Sequence, residues 1–456
     1  MNITKRLFSR NNKAIDMTEG AIIPLLVSFA FPFFLGTLFQ QLYNTVDAWV
    51  VGNFVSNEAF SAVGTVTPVT SLIIGFFTGF SGGTGIVISQ MFGAKRYDDV
   101  EKAVHTAISV TLISCVVFTV SGALLSPFLL KMMNTPDSVF DEANTYLSVY
   151  FFGISGLLIY NIGAGILRAV GDSRRPFFFL IISALVNIAL DLLFVLVFNM
   201  GVIGVALATV LAQAVSAALV AILLMRTDLC VKLDLRKLRI HSRCLKKILS
   251  VGLPTAIQTS IVSLGGIFTK SYINAFGEDF MSGVTVYSKV ESVVLLPSNA
   301  IAVASSTFVG QNLGAKNTPR AKKGIATSIL LSFSALILMM IPAIIFSPEI
   351  VAFFNKKPEV VEYGAQVIRV IVPFFFFANF NTVIAGALRG AGKSIYPSVI
   401  VVATYVFVRQ LYLFIMANFI SNTPLPIVFS YCVGWIVASV IFLVCFFKTK
   451  LESTLV

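Results

Sequence analysis

Long apolar stretches, and not residue-by-residue alternation, organise this chain. Runs of about 18 or more residues, each long enough to cross about 30 Å of hydrocarbon as a helix, mark membrane spans. They lie near 22–51, 60–92, 104–130, 146–167, 177–198, 202–225, 248–275, 284–309, 324–347, 363–387, 396–419 and 425–447. A transmembrane β-barrel is excluded, because its strands alternate over only about ten residues. The pattern predicts an all-α polytopic membrane protein of about twelve transmembrane helices.

The polar segments between the runs repeat. SQMFGAKRYDDVEKA from Ser89 resembles GQNLGAKNTPRAKKG from Gly310, so Gln90, Gly93, Ala94 and Lys95 match Gln311, Gly314, Ala315 and Lys316 at an offset of 221. LRAVGDSRRP from Leu167 matches LRGAGKSIYP from Leu388 at the same offset, and SFAFP ending at Pro32 resembles SVGLP ending at Pro254. Two six-helix lobes follow, 1–225 and 248–456, joined by a basic linker at 226–247. Six spans per copy make both copies enter from the same side, so the lobes are parallel, related by a pseudo-two-fold axis along the membrane normal.

Composition agrees with lipid as the main solvent. Of 456 residues 57% are hydrophobic and 12% charged, against roughly 25% charged in soluble proteins. The mean hydropathy of +0.90 leaves too few polar residues to clothe soluble domains. The net charge of +12 is a topology signal. Twenty-six of the 33 basic residues fall in alternate connections on one side, whereas the other side carries Lys131, Lys356 and Lys357. Lys and Arg accumulate on the cytoplasmic side, so both termini are expected there, in a cell (plasma or inner) membrane. Lys5, Arg6, Arg10 and Lys13 precede no cleavable apolar core, so the N-terminus is expected to stay attached. No basic patch suits nucleic acid. Cys115, Cys230, Cys244, Cys432 and Cys445 form no CxxC pair and imply no disulfide framework.

Acidic residues inside spans are expensive and need a reason. Asp47, in QQLYNTVDAWVVG, and Asp191, in NIALD, lie at similar depth in the outer half of the first lobe, about five and about eight residues from their span ends. Asn187 stands four residues before Asp191, on the same helical face. Two carboxylates brought together out of water do not both stay ionised without a partner, which makes a proton or sodium switch. The polar neighbours Gln41, Tyr43 and Asn44 are candidates for a substrate cavity. Glu291 is another, although the nearby Lys289 offers a local ion pair; Arg409 reads as a buried partner for a carboxylate or carbonyls. Most of the 42 Phe, including PFFFFANF at 373–380, read as packing, with a few available to contact a lipophilic cation. Gly75, Gly79 and Gly83 at GxxxG spacing read as helix contact.

Two enzyme-like signals fail. ALRGAGKS at 387–394 resembles a phosphate loop but joins two apolar spans, and its repeat copy lacks the Lys, so no ATP is expected. His241, Cys244 and Cys230 match no common zinc spacing. With two histidines in the chain, no enzyme is expected.

QQLYNTVDAWVVG, VGQNLGAK, ILRAVGDSRRP, VNIALD and GVIGVALATVLAQ, in this order and with the doubled half, resemble the multidrug and toxic compound extrusion (MATE) family over nearly the whole chain. The resemblance implies a secondary antiporter whose central cavity faces each side in turn, exporting organic cations against inward proton or sodium flow, with no cofactor. By position it implies that Asp47, Asn187 and Asp191 form the coupling-ion or proton site, with Na⁺ held there if sodium is the ion. Thr209 of the sixth span matches a hydroxyl near that site, and Tyr160 and Asn161 face the same pocket. Some members carry a sodium-site glutamate in the seventh span and an aspartate in the tenth, where this chain has Val262 and Ala378 or Asn379. Coupling is therefore expected in the first lobe. Two lobes around one cavity let a monomer function. The rival reading is a flippase of lipid-linked saccharides, which favours basic residues facing an anionic pyrophosphate.

Overall fold

The computed structural model describes residues 15–55, 57–133, 135–452 and 455, so the N-terminal Lys5, Arg6, Arg10 and Lys13 lie outside the described residues. Every regular element among the described residues is helical, and twelve helices are long and apolar enough to cross a membrane. We number these α1 (Ile22–Phe54), α2 (Asn57–Gly93), α3 (Tyr97–Met132), α4 (Asp137–Ala169), α5 (Arg174–Val197), α6 (Gly201–Arg226), α7 (Ser242–Asn274), α8 (Glu278–Gly314), α9 (Thr318–Ile345), α10 (Pro358–Gly390), α11 (Ile395–Ile420) and α12 (Pro424–Lys448). The chain is thus an all-α, polytopic membrane protein.

The repeat is written into the backbone of the connecting turns. Lys95 and Lys316, 221 residues apart, both take left-handed conformations, with φ of 56° and 59°. Each turn closes its helix the same way: Arg96 N donates to Met91 O at 3.0 Å, and Asn317 N to Asn312 O at 2.8 Å. The second repeat pair behaves alike. Gly171 and Gly392 have φ of 87° and 81°, where a side chain is strained, and Asp172 N and Lys393 N reach back to Leu167 O and Leu388 O, each at 3.0 Å.

Small residues set the packing. A Cβ on Gly156 of α4 would come within 2.9 Å of the Gln213 backbone in α6, while Gly153 and Gly163 face Val210 and Val220. The register between partners stays constant along this seam, so α4 and α6 run parallel, as two helices of the same parity must. Ser81 Oγ of α2 donates to Asn161 O of α4 at 2.6 Å, adding a third parallel helix. A Cβ on Gly83 would overlap the Gly252 backbone, and one on Gly252 would come within 3.2 Å of Phe80 Cα, so the predicted contact role holds there. In the second half, Gly283 of α8 abuts Gly364 of α10, and Gly386 and Gly390 abut the backbones of Ala302 and Ser306.

The chain forms two compact units. One is built on Leu35–Gly252; the other combines Met17–Phe34 with Leu253–Val456. The basic linker at 226–247 belongs to the first unit. The units part inside α1, just after Pro32, and inside α7, just before Pro254. Proline removes a backbone hydrogen bond and lets a helix bend at those points. In the second unit, Gln311 Oε1 accepts from Met17 N at 2.8 Å, and Arg320 donates to Glu19 O at 2.9 Å and to Met17 O at 3.3 Å.

Candidate functional site

Asp47 and Asp191 come together in the first unit. Each lies about two turns from the end of its helix, α1 and α5 respectively. Their carboxyls are close enough to act on one another and to share a hydrogen bond when one is protonated. Asp191 is 0% and Asn187 1% exposed. Neither oxygen of Asp191, neither polar atom of the Asn187 amide, nor Oδ1 of Asp47 meets a hydrogen-bond partner among the described residues. Most buried polar side-chain atoms in proteins are paired, so this cluster is unusual in type and in number.

The surroundings keep the acids dry. Val50, Val51, Val195, Val202 and Val205 form a buried apolar group from α1, α5 and α6, with Val46 and Tyr146 packed on it. Directly after Asp191, α5 widens into a π-type turn over Leu193–Val197, closed by Phe198 N donating to Leu193 O at 3.1 Å. Such turns are frequent at functional sites because they displace side chains from the regular helical register.

Tyr43 of α1 stands near Asp47. Tyr146 of α4 faces both acids and Tyr43, and Tyr150, one turn on, faces Tyr146 and Tyr43. Sequence reasoning missed these two; their four-residue spacing in NTYLSVY was the available signal. Gln41 is partly buried and Asn44 exposed. The Thr209 hydroxyl donates to Val205 O at 3.1 Å within α6, one turn from the apolar group. Tyr160 OH donates to Pro176 O at 3.1 Å and the Asn161 amide to Leu157 O at 2.9 Å, so both are engaged with backbone inside the unit.

Glu291 lies in the second unit, on α8, and its neighbours correct a sequence expectation. Lys289 does not pair with it: that ammonium sits 4.8 Å from the Phe354 ring centroid. Glu291 instead interacts electrostatically with Arg409 of α11 and lies beside Tyr287. Helical geometry explains the outcome, since positions two apart on a helix point in different directions. Arg409 is 5% exposed, with its guanidinium 4.3 Å from the Tyr431 ring centroid and 5.7 Å from that of Tyr405. Asn381 braces this group by donating to Tyr405 OH at 3.2 Å and to Trp435 O at 2.9 Å. At the positions where some relatives carry acids, Ala378 and Asn379 are buried, and Asn379 donates to Ser332 Oγ at 3.1 Å. No cluster of three or more metal-ligating side chains occurs among the described residues.

Twelve membrane helices in two repeated halves, with charged groups held inside them, define a multi-pass membrane transporter. The MatE family model matches residues 32–193 and again 254–415, once in each half. The chain belongs to that family, the MATE transporters, and is not an enzyme. It is 27% identical over 380 residues to the probable multidrug resistance protein YpnP of Bacillus subtilis, covering 83% of this chain and 85% of that protein. It is 25% identical over 402 residues to the probable multidrug resistance protein NorM of Thermotoga maritima, covering 86% and 85%. Among solved structures, an outward-facing MATE transporter of the MOP superfamily superposes with a TM-score of 0.90 at 23% identity, over 96% of this chain and 99% of that one.

Proposed function

We propose that this transporter is a secondary antiporter that exports lipophilic organic cations in exchange for protons or sodium ions, with Asp47 and Asp191 as the coupling centre. One observation carries the reading: Asp47 meets the fully buried Asp191 and Asn187 inside the first unit, with no basic partner among the described residues. Carboxylate and amide oxygens are hard donors, suited to H⁺ or to Na⁺. The names of the relatives support the export of drugs.

The exchange follows from electrostatics. With both carboxylates ionised, the site attracts a cation; with a proton or sodium bound, its charge is reduced and a second cation is disfavoured. Coupling needs only that the two ligands exclude one another or favour different conformers. The basic connections orient both termini to the cytoplasm. A membrane potential then contributes about 2.3 kcal/mol per charge per 100 mV of inward movement. One chain suffices as the working unit. Tyr43, Tyr146 and Tyr150 supply aromatic faces near the acids for an apolar cation.

The test is efflux of a fluorescent organic cation from proteoliposomes, with proton and sodium gradients imposed separately on wild type and Asp191→Asn. Export driven by one gradient and lost in the variant supports the reading and names the ion. If no gradient moves any cation tested, the antiporter reading falls, and transport of radiolabelled lipid-linked sugar becomes the next assay.

A further inference from the structure

The chain's two histidines line one cavity of about 400 Å³ in the first unit, where the linker crosses the start of α3. Lys102, Lys237 and Arg239 line it with His105 and His241. Asp98 and Glu101 also border it. Glu101 is taken up by Lys237 at 2.9 Å, and Lys102 stands 3.9 Å from Asp99. Arg239 is exposed and forms no ion pair among the described residues.

The wall is firmly built. His105 is 2% exposed; its Nδ1 lies 2.8 Å from Glu101 O, and its Nε2 accepts from Asp234 N at 3.2 Å. Thr106 Oγ1 accepts from His241 N at 3.1 Å, and Leu233 N donates to Leu224 O at 2.8 Å. The linker is thereby tied along α3 at several points.

A second, apolar opening lies further along the same two segments. Ile108 and Leu112 of α3 line it with Leu233 and Leu235 of the linker and Val220 of α6. Its volume is about 100 Å³, room for a few methylenes. On α3 the lining positions 101, 105, 108 and 112 share one face at helical spacing. His105 to Leu112 spans about 10 Å. Leu112 is 40% and Leu235 58% exposed, and α3 continues beyond them with exposed Val116, Val117 and Val120. The cavity, with three basic and two acidic side chains, the apolar slot and an exposed apolar stretch of α3 thus follow one another along the helix.

We propose that cavity and slot together bind an anionic phospholipid, its phosphate held by Lys102, Lys237 and Arg239 and one acyl chain entering the slot. Basic clusters beside the end of a membrane helix attract anionic headgroups. The adjoining slot distinguishes a lipid from a soluble phosphate, because only the lipid carries a chain to fill it.

Native mass spectrometry of the full-length protein in detergent, with phosphatidylglycerol or phosphatidylcholine of identical chains, tests the proposal. Phosphatidylglycerol should be retained in preference, and Lys102→Ala or Arg239→Ala should each lower its retention about five-fold. Ala221→Phe, which fills the slot, should lower retention of the lipid without changing any effect of glycerol phosphate. Leu235→Asn, at an exposed position, is the second slot variant should Ala221→Phe misfold, with thermal unfolding in detergent as the check. Equal retention of the two lipids, or indifference to the Arg239 change, overturns the proposal. So does competition by glycerol phosphate with no response to either slot variant, the signature of a soluble phosphate site.

Discussion

The two units share turns, glycine seams and a doubled sequence, yet they hold buried charge in opposite ways. In the first, Asp47 and Asp191 face each other with Asn187 beside them and no basic group among their described partners. In the second, Glu291 works against Arg409, whose guanidinium is packed on Tyr431 and Tyr405. A positive charge acts on the acid of the second group, whereas none among the described residues acts on the pair in the first. The contrast belongs to these two groups and not to the halves as wholes, since the first half also holds the largely buried Asp172–Arg175 pair.

The sharpest way to break this comparison is transport. Asp191→Asn should reduce gradient-driven cation export at least about ten-fold, the equivalent of about 1.4 kcal/mol, whereas Glu291→Gln should leave export within a few-fold of wild type. Equal losses in the two variants would falsify the division of labour. Stability provides the next test. Arg409→Met removes the positive charge that acts on Glu291 and should destabilise the protein, visible as a lower unfolding midpoint in detergent. Adding Glu291→Met should recover most of that loss, since an apolar pair can replace a buried ionic one.

Asp191→Asn should move stability the other way, raising it by about 1 kcal/mol, because an unpartnered buried carboxylate is removed. A midpoint that falls instead indicates a structural role for that carboxylate. The smallest effect belongs to the turns. Lys95→Gly and Lys316→Gly each relieve a left-handed conformation and should stabilise by up to about 1 kcal/mol. Their equality, read by the same melting assay, measures how far the halves remain equivalent.

The helices and the repeat were legible because they rest on local signals: apolar length for the spans, and the GAK and LRxxG turns for the doubling. The cost of an acid in lipid singled out Asp47 and Asp191 without any contact information. What could not be read depended on distant pairing. Tyr146 and Tyr150 share one helical face at four-residue spacing, but only their meeting with Asp47 and Asp191 from other helices separates them from ordinary packing. Glu291 and Arg409 act on one another from helices far apart in sequence, so adjacency suggested Lys289 instead. The parting of the units inside α1 and α7 is a matter of which helices each segment packs on, and no composition shift marks it.

The grouping of Met17–Phe34 with Leu253–Val456 bears on how the protein is made. Synthesis proceeds from the N-terminus, so the opening turns of α1 leave the ribosome first, while Gln311 and Arg320, which hold Met17 and Glu19, come some three hundred residues later. The opening turns of α1 therefore gain these contacts only once about two thirds of the chain has been made. Until then that segment lacks its Gln311 and Arg320 partners, and membrane chaperones and quality-control proteases can reach it.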